Sequence, residues 1–239
     1  MEKANKAIVI IFNILLVFVV VFTITFTLMY REQFYLSQFA KHGVGDATGF
    51  SDGQLQMIVS HLLKYLRGDI NNLQFFIDGE GIFSRQALFH MHDVREVMVF
   101  IQQMAYFLFI ITIGLGIYII VKFKGMKEYF FRYFVINFIV FVSLVIIIAL
   151  IAIIDFDFAF RAFHRILFWD EVKFNNSFFS SISNYHEAPG VDNRLLIKLL
   201  PEPFFMEFAI IVVVATILIF VLIGLFLYNN KRKEQIEEK

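Results

Sequence analysis

Four long stretches of the sequence contain no Asp, Glu, Lys, Arg or His. They are Ala7–Tyr30, Val97–Val121, Tyr133–Ile154 and Phe208–Tyr228. Each meets the length of about 20 apolar residues that a helix needs to cross the hydrocarbon layer of a membrane. An open strand would leave its amides unpaired in lipid, so helix is the expected conformation. The pattern predicts four membrane-spanning helices, at about 7–30, 97–121, 133–154 and 208–228.

The long segment between the first two spans, residues 31–96, carries helix signals of its own. Its aliphatic residues recur at helical spacing between a possible cap at Ser51 or Asp52 and a possible stop at Gly68. The recurring residues are Leu55, Ile58, Val59, Leu62, Leu63 and Leu66. This pattern indicates an amphipathic helix that lies on the membrane or on the tops of the spans, and we favour a packing role for it within a folded cap.

Two further signals lie at the entries to later spans. Ser84 is a good N-cap, and nothing interrupts the helix that would follow it into the second span. Pro201 and Pro203 precede the fourth span, and residues before proline avoid the helical region. Residues 199–205 are therefore expected to be extended.

Charged residues are divided unevenly between the short and the long connecting segments. The short segments 1–6, 122–132 and 229–239 hold 10 of the 21 Lys and Arg but 5 of the 21 Asp and Glu. The positive-inside rule then places both termini in the cytoplasm. The sequence predicts an all-α integral membrane protein, one membrane domain over residues 1–239, with a mainly helical extracellular cap formed by 31–96 and 155–207.

Composition supports a membrane protein and limits its chemistry. The chain is 59% hydrophobic and contains 33 Phe but no Cys, and its mean hydropathy is +0.72. A chain without cysteine has no disulfide, no thiol nucleophile and no Cys-ligated zinc. The formal net charge of zero gives no reason to expect a nucleic-acid partner.

The first candidate for chemistry is His90-Met91-His92-Asp93-Val94, at the predicted entry to the second span. On a helix His90 and His92 point about 200° apart, which weighs against a metal site. His90 and Asp93 share a face that continues along the span, and we expect that face to be buried. A neighbouring carboxylate would fix the tautomer of the imidazole and favour its charged form.

The second candidate follows the third span, over Asp157–Asp170. Read as a helix, it places His164 among aromatic residues and beside Arg161, whose charge disfavours the protonated imidazole. Such a neutral imidazole could act as a base. Spacing alone leaves a structural, hydrogen-bonded role equally open for His90 and nearly so for His164.

Several motifs occur in a familiar order. They are Leu63-Lys64-Tyr65-Leu66-Arg67-Gly68, His90-Met91-x-Asp93-Val94, Phe163-His164 with an aromatic stretch after it, and Leu200-Pro201-Glu202-Pro203-Phe204-Phe205. Together with the four spans, this order resembles the bacterial lipoprotein intramolecular transacylases. The resemblance covers most of the chain.

The resemblance implies an enzyme of the bacterial cell membrane whose active site is extracellular. Its substrate would be a diacylglyceryl-cysteine lipoprotein, whose sn-2 acyl chain moves to the N-terminal amine and leaves the lyso-form. By residue match the catalytic residues would be His90 and His164. Membrane lipid and the diacylated lipoprotein would be the partners, no cofactor or metal is implied, and a monomer would suffice, although the oligomeric state is open. The expected substrate-binding residues are Asp93, Arg161, Phe163, Phe168 and Trp169.

The implied reaction needs acid–base catalysis. An α-amine with a pKa near 7.7–8.0 is mostly protonated at neutral pH, so a base must act. Attack on the ester closes an eight-membered ring, and a site that holds both ends in register would supply the missing entropy. In this hypothesis one histidine takes the amine proton and the other protonates the glycerol oxygen, with Arg161 or Arg165 as candidates for stabilising the oxyanion.

Two other functions are compatible with the residues. A non-catalytic membrane accessory protein would use its histidines structurally. A metal-dependent membrane hydrolase would bind its ion through His90, His92, His164 and Asp93. Alanine variants test the first alternative, and treatment with a chelator tests the second.

Overall fold

The computed structural model describes residues 2–122, 127–167 and 194–237. Nine helices and one short β-hairpin account for most of these ranges. The strands are β1 (Phe76–Ile77) and β2 (Glu80–Gly81). The helices are α1 (Glu2–Met29), α2 (Glu32–Lys41), α3 (Val44–Thr48), α4 (Asp52–Arg67), α5 (Arg85–Val121), α6 (Lys127–Ile154), α7 (Phe156–Leu167), α8 (Leu195–Leu199) and α9 (Glu202–Glu237).

Four of these helices are long and apolar enough to cross a membrane. Their apolar portions are Lys3–Met29, Arg85–Val121, Tyr129–Ile154 and Glu202–Asn230, so each coincides with a stretch that the hydropathy pattern predicts as a span. Many of their large side chains lie on the outside of the molecule, such as Ile120 and Ile148. A continuous apolar exterior of this kind is expected of helices whose solvent is lipid.

The chain forms two compact units. The first comprises Met1–Thr25, Gln102–Arg161 and Ile210–Lys239, and the second comprises Phe26–Ile101 and Ala162–Ala209. The sequence-based expectation of one membrane domain with an extracellular cap therefore stays a prediction.

Close helix contacts hold the first unit together. A Cβ on Gly116 would lie 3.3 Å from the ring of Phe12, so α1 and α5 touch where α5 has no side chain. Between α6 and α9, the Phe220 ring stacks on Phe134 and on Phe138, with both centroid distances 5.7 Å. Small residues and aromatic stacking are how helices pack where lipid removes the hydrophobic driving force.

The second unit has a conventional apolar core. The aliphatic side of α4 is fully enclosed there, together with aromatic residues from α2 and α9 that include Phe34, Tyr35 and Phe204. Residues Ala87, Leu88 and Met91 contribute one side of α5 to the same core. This core fixes the entry of α5, which carries the first candidate histidine.

Local capping signals are confirmed in both helices where the sequence predicts them. Ser51 and Gln54 form a capping box at the start of α4, and Gly68 ends that helix in the left-handed conformation, with φ of 85°. At the start of α5, the Ser84 hydroxyl accepts a hydrogen bond of 3.1 Å from the Ala87 amide. Helix α5 then runs through Val121 without a break, as expected.

The loop before α5 is braced by one side chain. Gln74 donates to the Phe83 carbonyl and accepts from the Phe83 amide, both at 3.0 Å. Between them the chain makes the β-hairpin, whose turn places Asp78 and Gly79 at positive φ. An Asp-Gly pair favours this two-residue turn, so the loop delivers Ser84 to its capping position in a defined geometry.

The extended entry expected before the fourth span is wrong for most of its length. Residues 195–199 form α8, and α9 already begins at Glu202, so that Pro203 lies inside the first helical turn. Proline is tolerated there because the first amides of a helix have no intrahelical acceptor to lose. Only Leu200 and Pro201 separate the two helices.

Candidate active site

The rings of His90 and His164 lie face to face in the second unit. Their centroids are 6.0 Å apart and their planes differ by 19°. His90 stands on the second turn of α5 and His164 near the end of α7. Two imidazoles from distant parts of the chain thus share one site, which we call the histidine pair.

The buried side of α5 is not the one expected from sequence. The core takes up Ala87, Leu88 and Met91, whereas His90 is exposed. Helical spacing predicts burial of the side that contains His90. The shift has a simple cause, because Leu88 and Met91 are the larger apolar side chains and burial selects them over an imidazole. The exposed position leaves His90 accessible to a substrate.

Asp93 lies one turn after His90 on α5, and its side chain is half-buried. Burial is the main cause of the raised pKa of the Tyr65 phenol on α4, and Arg95 opposes it, since its guanidinium lies 4.8 Å from the centre of the Tyr65 ring. The charges of Glu96 and Asp93 add smaller contributions that raise the same pKa. Asp93 thus lies within electrostatic range of α4, one turn after His90 along α5.

Helix α7 carries the other members of the expected site. Phe163 meets His164 edge to face, with centroids 5.9 Å apart, and His164 is half-buried. Arg161 is exposed and belongs to the first compact unit. Phe168 and Trp169 lie outside the residues that the structure describes. Their predicted substrate-binding roles, like that of Arg161, stay predictions.

His92 is half-buried on α5. Among residues 2–122, 127–167 and 194–237, no group of three or more His, Asp or Glu side chains is arranged to hold a metal ion. The described part of the chain thus gives no support to the metal-dependent alternative.

A second polar cluster joins α2 to the start of α9. Glu207 accepts hydrogen bonds from Gln38 Nε2 at 3.0 Å and Lys41 Nζ at 2.7 Å, and its Oε1 lies 3.1 Å from His42 Nε2. The same His42 nitrogen lies 3.1 Å from the Gln38 side-chain oxygen. Because both neighbours are acceptors, His42 Nε2 must carry a proton. We call these four residues the Glu207 network.

Sequence reasoning missed the Glu207 network entirely. Its contacts join residues 165 to 169 positions apart, so no local motif contains both sides. The one available signal was Glu207 itself, an acidic residue immediately before the apolar run of the fourth span. A charge at such a boundary is costly unless it is paired, and it could have prompted a search for partners.

The chain is similar in sequence and in structure to proteins of one known family. A sequence model of the family described as "Lipoprotein intramolecular transacylase Lit" matches residues 9–175. A solved structure of the membrane-integral lipoprotein intramolecular transacylase Lit from Bacillus cereus superposes with a TM-score of 0.70 at 22% identity, covering 98% of this chain and 100% of the other. No curated protein sequence gives a significant match.

Two structures of the same Bacillus cereus protein, each with one histidine replaced, also match. One replacement is arginine and the other alanine, and both structures give a TM-score of 0.66 at 20% identity over 97% of this chain. They cover 95% and 96% of the Bacillus cereus chain, respectively. These structural likenesses support the fold, and the family match carries the relationship.

Proposed function

The chain belongs to the lipoprotein intramolecular transacylase family, and from that premise we propose the reaction it performs and the residues that perform it. The reaction moves the sn-2 acyl chain of a diacylglyceryl-cysteine lipoprotein to the α-amine of the same cysteine. The product is the lyso-form lipoprotein. The observation that carries the assignment of residues is the contact between the rings of His90 and His164.

The separation of the two rings suits a reaction in which two protons move at adjacent atoms. Because the two rings are neighbours, one bound substrate can reach a ring nitrogen of each imidazole at the roughly 2.6–3.2 Å that acid–base catalysis needs. In the tetrahedral intermediate the attacking nitrogen and the departing glycerol oxygen are bonded to one carbon. One imidazole can then accept the amine proton while the other donates a proton to the glycerol oxygen.

Once the amine has lost its extra proton to solvent, the proton balance of this scheme is closed within the pair. The N–C bond forms, the C–O bond to glycerol breaks, and one proton leaves nitrogen as another reaches oxygen. The base finishes protonated and the acid finishes neutral, so the two imidazoles must exchange a proton before the next turnover. Because the rings are neighbours, one bridging group that hydrogen-bonds to a nitrogen of each can carry that proton.

The ring closure explains why an enzyme is required. Carbonyl carbon, glycerol oxygen, two glycerol carbons, sulfur, Cβ, Cα and nitrogen make an eight-membered ring, which closes poorly in free solution. Holding both ends near attack distance can supply about 7–11 kcal/mol of the barrier. We assign this positioning to Phe163, Phe168 and Trp169, with Arg161 as an oxyanion donor and Asp93 as the group that orients the His90 side of the site.

The proposed reaction also implies on which side of the membrane the active site lies. We place the lipoprotein substrate in the outer leaflet, and the excess of Lys and Arg in the short connecting segments supports cytoplasmic termini. The histidine pair then lies on the extracellular face, at the level of the substrate's ester bonds. The chemistry needs neither a cofactor nor a nucleophile from the enzyme.

The test is expression of the chain in a bacterium whose lipoproteins lack the lyso-form. Intramolecular transfer leaves the mass of the N-terminal peptide unchanged, so tandem mass spectrometry must locate the acyl chain. We expect fragment ions that carry an acyl group on the cysteine nitrogen. If both acyl chains stay on glycerol in cells that contain the folded protein, the proposed function is wrong.

A further inference from the structure

Helix α7 has one apolar side, and the described residues leave much of that side exposed near the end of the helix. Its polar side chains, which include Arg161, His164 and Arg165, fall on one half of the helix. On the other half, 56% of Phe163 and 78% of Ile166 are exposed. Neighbouring exposed apolar side chains on one side of a helix favour contact with a partner that is itself apolar.

Helix α4 is also amphipathic, but other parts of the protein cover its apolar side. Its aliphatic side chains lie between 0% and 6% exposed, in the core of the second unit. Both helices are amphipathic, yet only the apolar side of α4 is covered by described residues. The partner of α7 must therefore come from outside the described chain.

Chain connectivity indicates the identity of that partner. The third span ends at Ile154, which is 83% exposed, as expected of a residue that faces lipid, and a single residue separates it from α7. That residue, Asp155, caps α7 by accepting a 2.8 Å hydrogen bond from the Phe158 amide. A carboxylate in this position marks the depth at which hydrocarbon gives way to the polar headgroups.

The charges on α7 fit the same boundary. A helix that lies in the interfacial plane sinks its apolar side about 5–10 Å into the boundary between headgroups and acyl chains, and directs Lys or Arg towards the phosphates. Phe163 and Ile166 supply the apolar side, and Arg165, which is exposed, lies on the polar side.

We propose that α7 binds the surface of the phospholipid bilayer, with Ile166 inserted among the acyl chains and Arg165 at the level of the lipid phosphates. This placement is independent of the proposed function. One consequence rests on that function: the bilayer holds His164 at the depth of the glycerol esters, so the membrane itself helps to position the base or acid for its substrate.

The absence of cysteine makes the proposal directly testable. Three full-length single-cysteine variants, Ile166→Cys, Arg165→Cys and Met57→Cys, are labelled with a nitroxide and reconstituted in phosphatidylcholine–phosphatidylglycerol vesicles. Power-saturation EPR then compares collisions with oxygen, which partitions into lipid, and with a nickel chelate, which stays in water. Met57 is an exposed residue of α4 and serves as the control outside α7.

We expect the Ile166 label to favour oxygen over the nickel chelate by at least threefold, and the Arg165 and Met57 labels to favour the nickel chelate relative to Ile166. Equal exposure of Ile166 and Arg165 to the nickel chelate would place α7 in water and overturn the proposal. An Ile166 label shielded from both reagents would mean that protein covers this side, which also overturns it. Because activity is not the readout, an inactive protein with an inserted Ile166 would refute the proposed function alone.

Discussion

The second unit contains two polar sites with histidine, the Glu207 network and the histidine pair, and the imidazoles in them have different surroundings. In the Glu207 network, His42 Nε2 is held between two acceptor oxygens at 3.1 Å, and the imidazole side chain is only 17% exposed. In the histidine pair, two rings face one another and His90 is exposed. A nitrogen fixed as a donor to a carboxylate stabilises a structure, whereas catalysis needs an accessible nitrogen that can gain and lose a proton. This difference supports our proposal that the pair performs the chemistry and that the network stabilises the unit.

The largest expected effect is loss of activity on replacing either member of the histidine pair. Both His90→Ala and His164→Ala should lower the rate of transfer by at least about 100-fold, since each removes an acid or base. The measurement is lyso-form production by the reconstituted variants, with tandem mass spectrometry as readout. His92→Ala, on the same helix as His90, is the matched control and should keep most activity.

Stability provides the complementary readout. Because His90 is exposed, His90→Ala should unfold within a few degrees of the parent protein. A variant that loses activity and folding together would return the histidines to the structural role that spacing alone left open.

A substitution in the Glu207 network should lower thermal stability and leave transfer activity nearly unchanged. Glu207→Gln removes the carboxylate that accepts from Gln38, Lys41 and His42, and so weakens the tie between α2 and α9. We expect Tm to fall by on the order of 2–4 °C while transfer per folded molecule stays near normal. Unchanged Tm with a large loss of transfer would place this network, rather than the histidine pair, in the chemistry.

Replacement of Asp93 should have a smaller effect on activity. Asp93→Asn keeps the shape of the side chain and removes the charge that favours a protonated imidazole at His90. We expect roughly tenfold slower transfer, because the neutral amide no longer orients the His90 side of the site. Full activity would remove Asp93 from the site.

The smallest expected effect is that of a chelator. The histidine pair needs no ion for the proposed chemistry, so prolonged treatment with EDTA should leave the rate within about twofold. A loss of activity that zinc or another divalent ion restores would favour the metal-dependent hydrolase instead.

Signals that act within a few residues were readable from the sequence. The caps at Ser51, Gly68 and Ser84 and the apolar lengths of the four spans depend on neighbouring residues alone, and all were predicted. The start of α9 was missed because the preference of a residue before proline was given more weight than the tolerance for proline in a first turn.

Long-range features were readable only in part. Met91 and His90 compete for the core, and the outcome decides which side of α5 is buried. A helical-wheel projection does not predict that outcome. The meeting of α5 and α7 at the histidine pair was expected through the family resemblance and not through any spacing. The Glu207 network had no such guide, since its partners come from opposite ends of the chain.

The central claim is that His90 and His164 act as one catalytic unit, and a double-mutant cycle tests it most directly. Transfer rates are measured in vesicles for His90→Gln, His164→Gln and the double variant, with a synthetic diacylglyceryl-cysteine peptide as substrate. Residues that act as a unit are strongly non-additive, so the double variant should be no more than about threefold slower than the slower single variant. If the two losses instead multiply, the histidines act independently and the paired mechanism is contradicted.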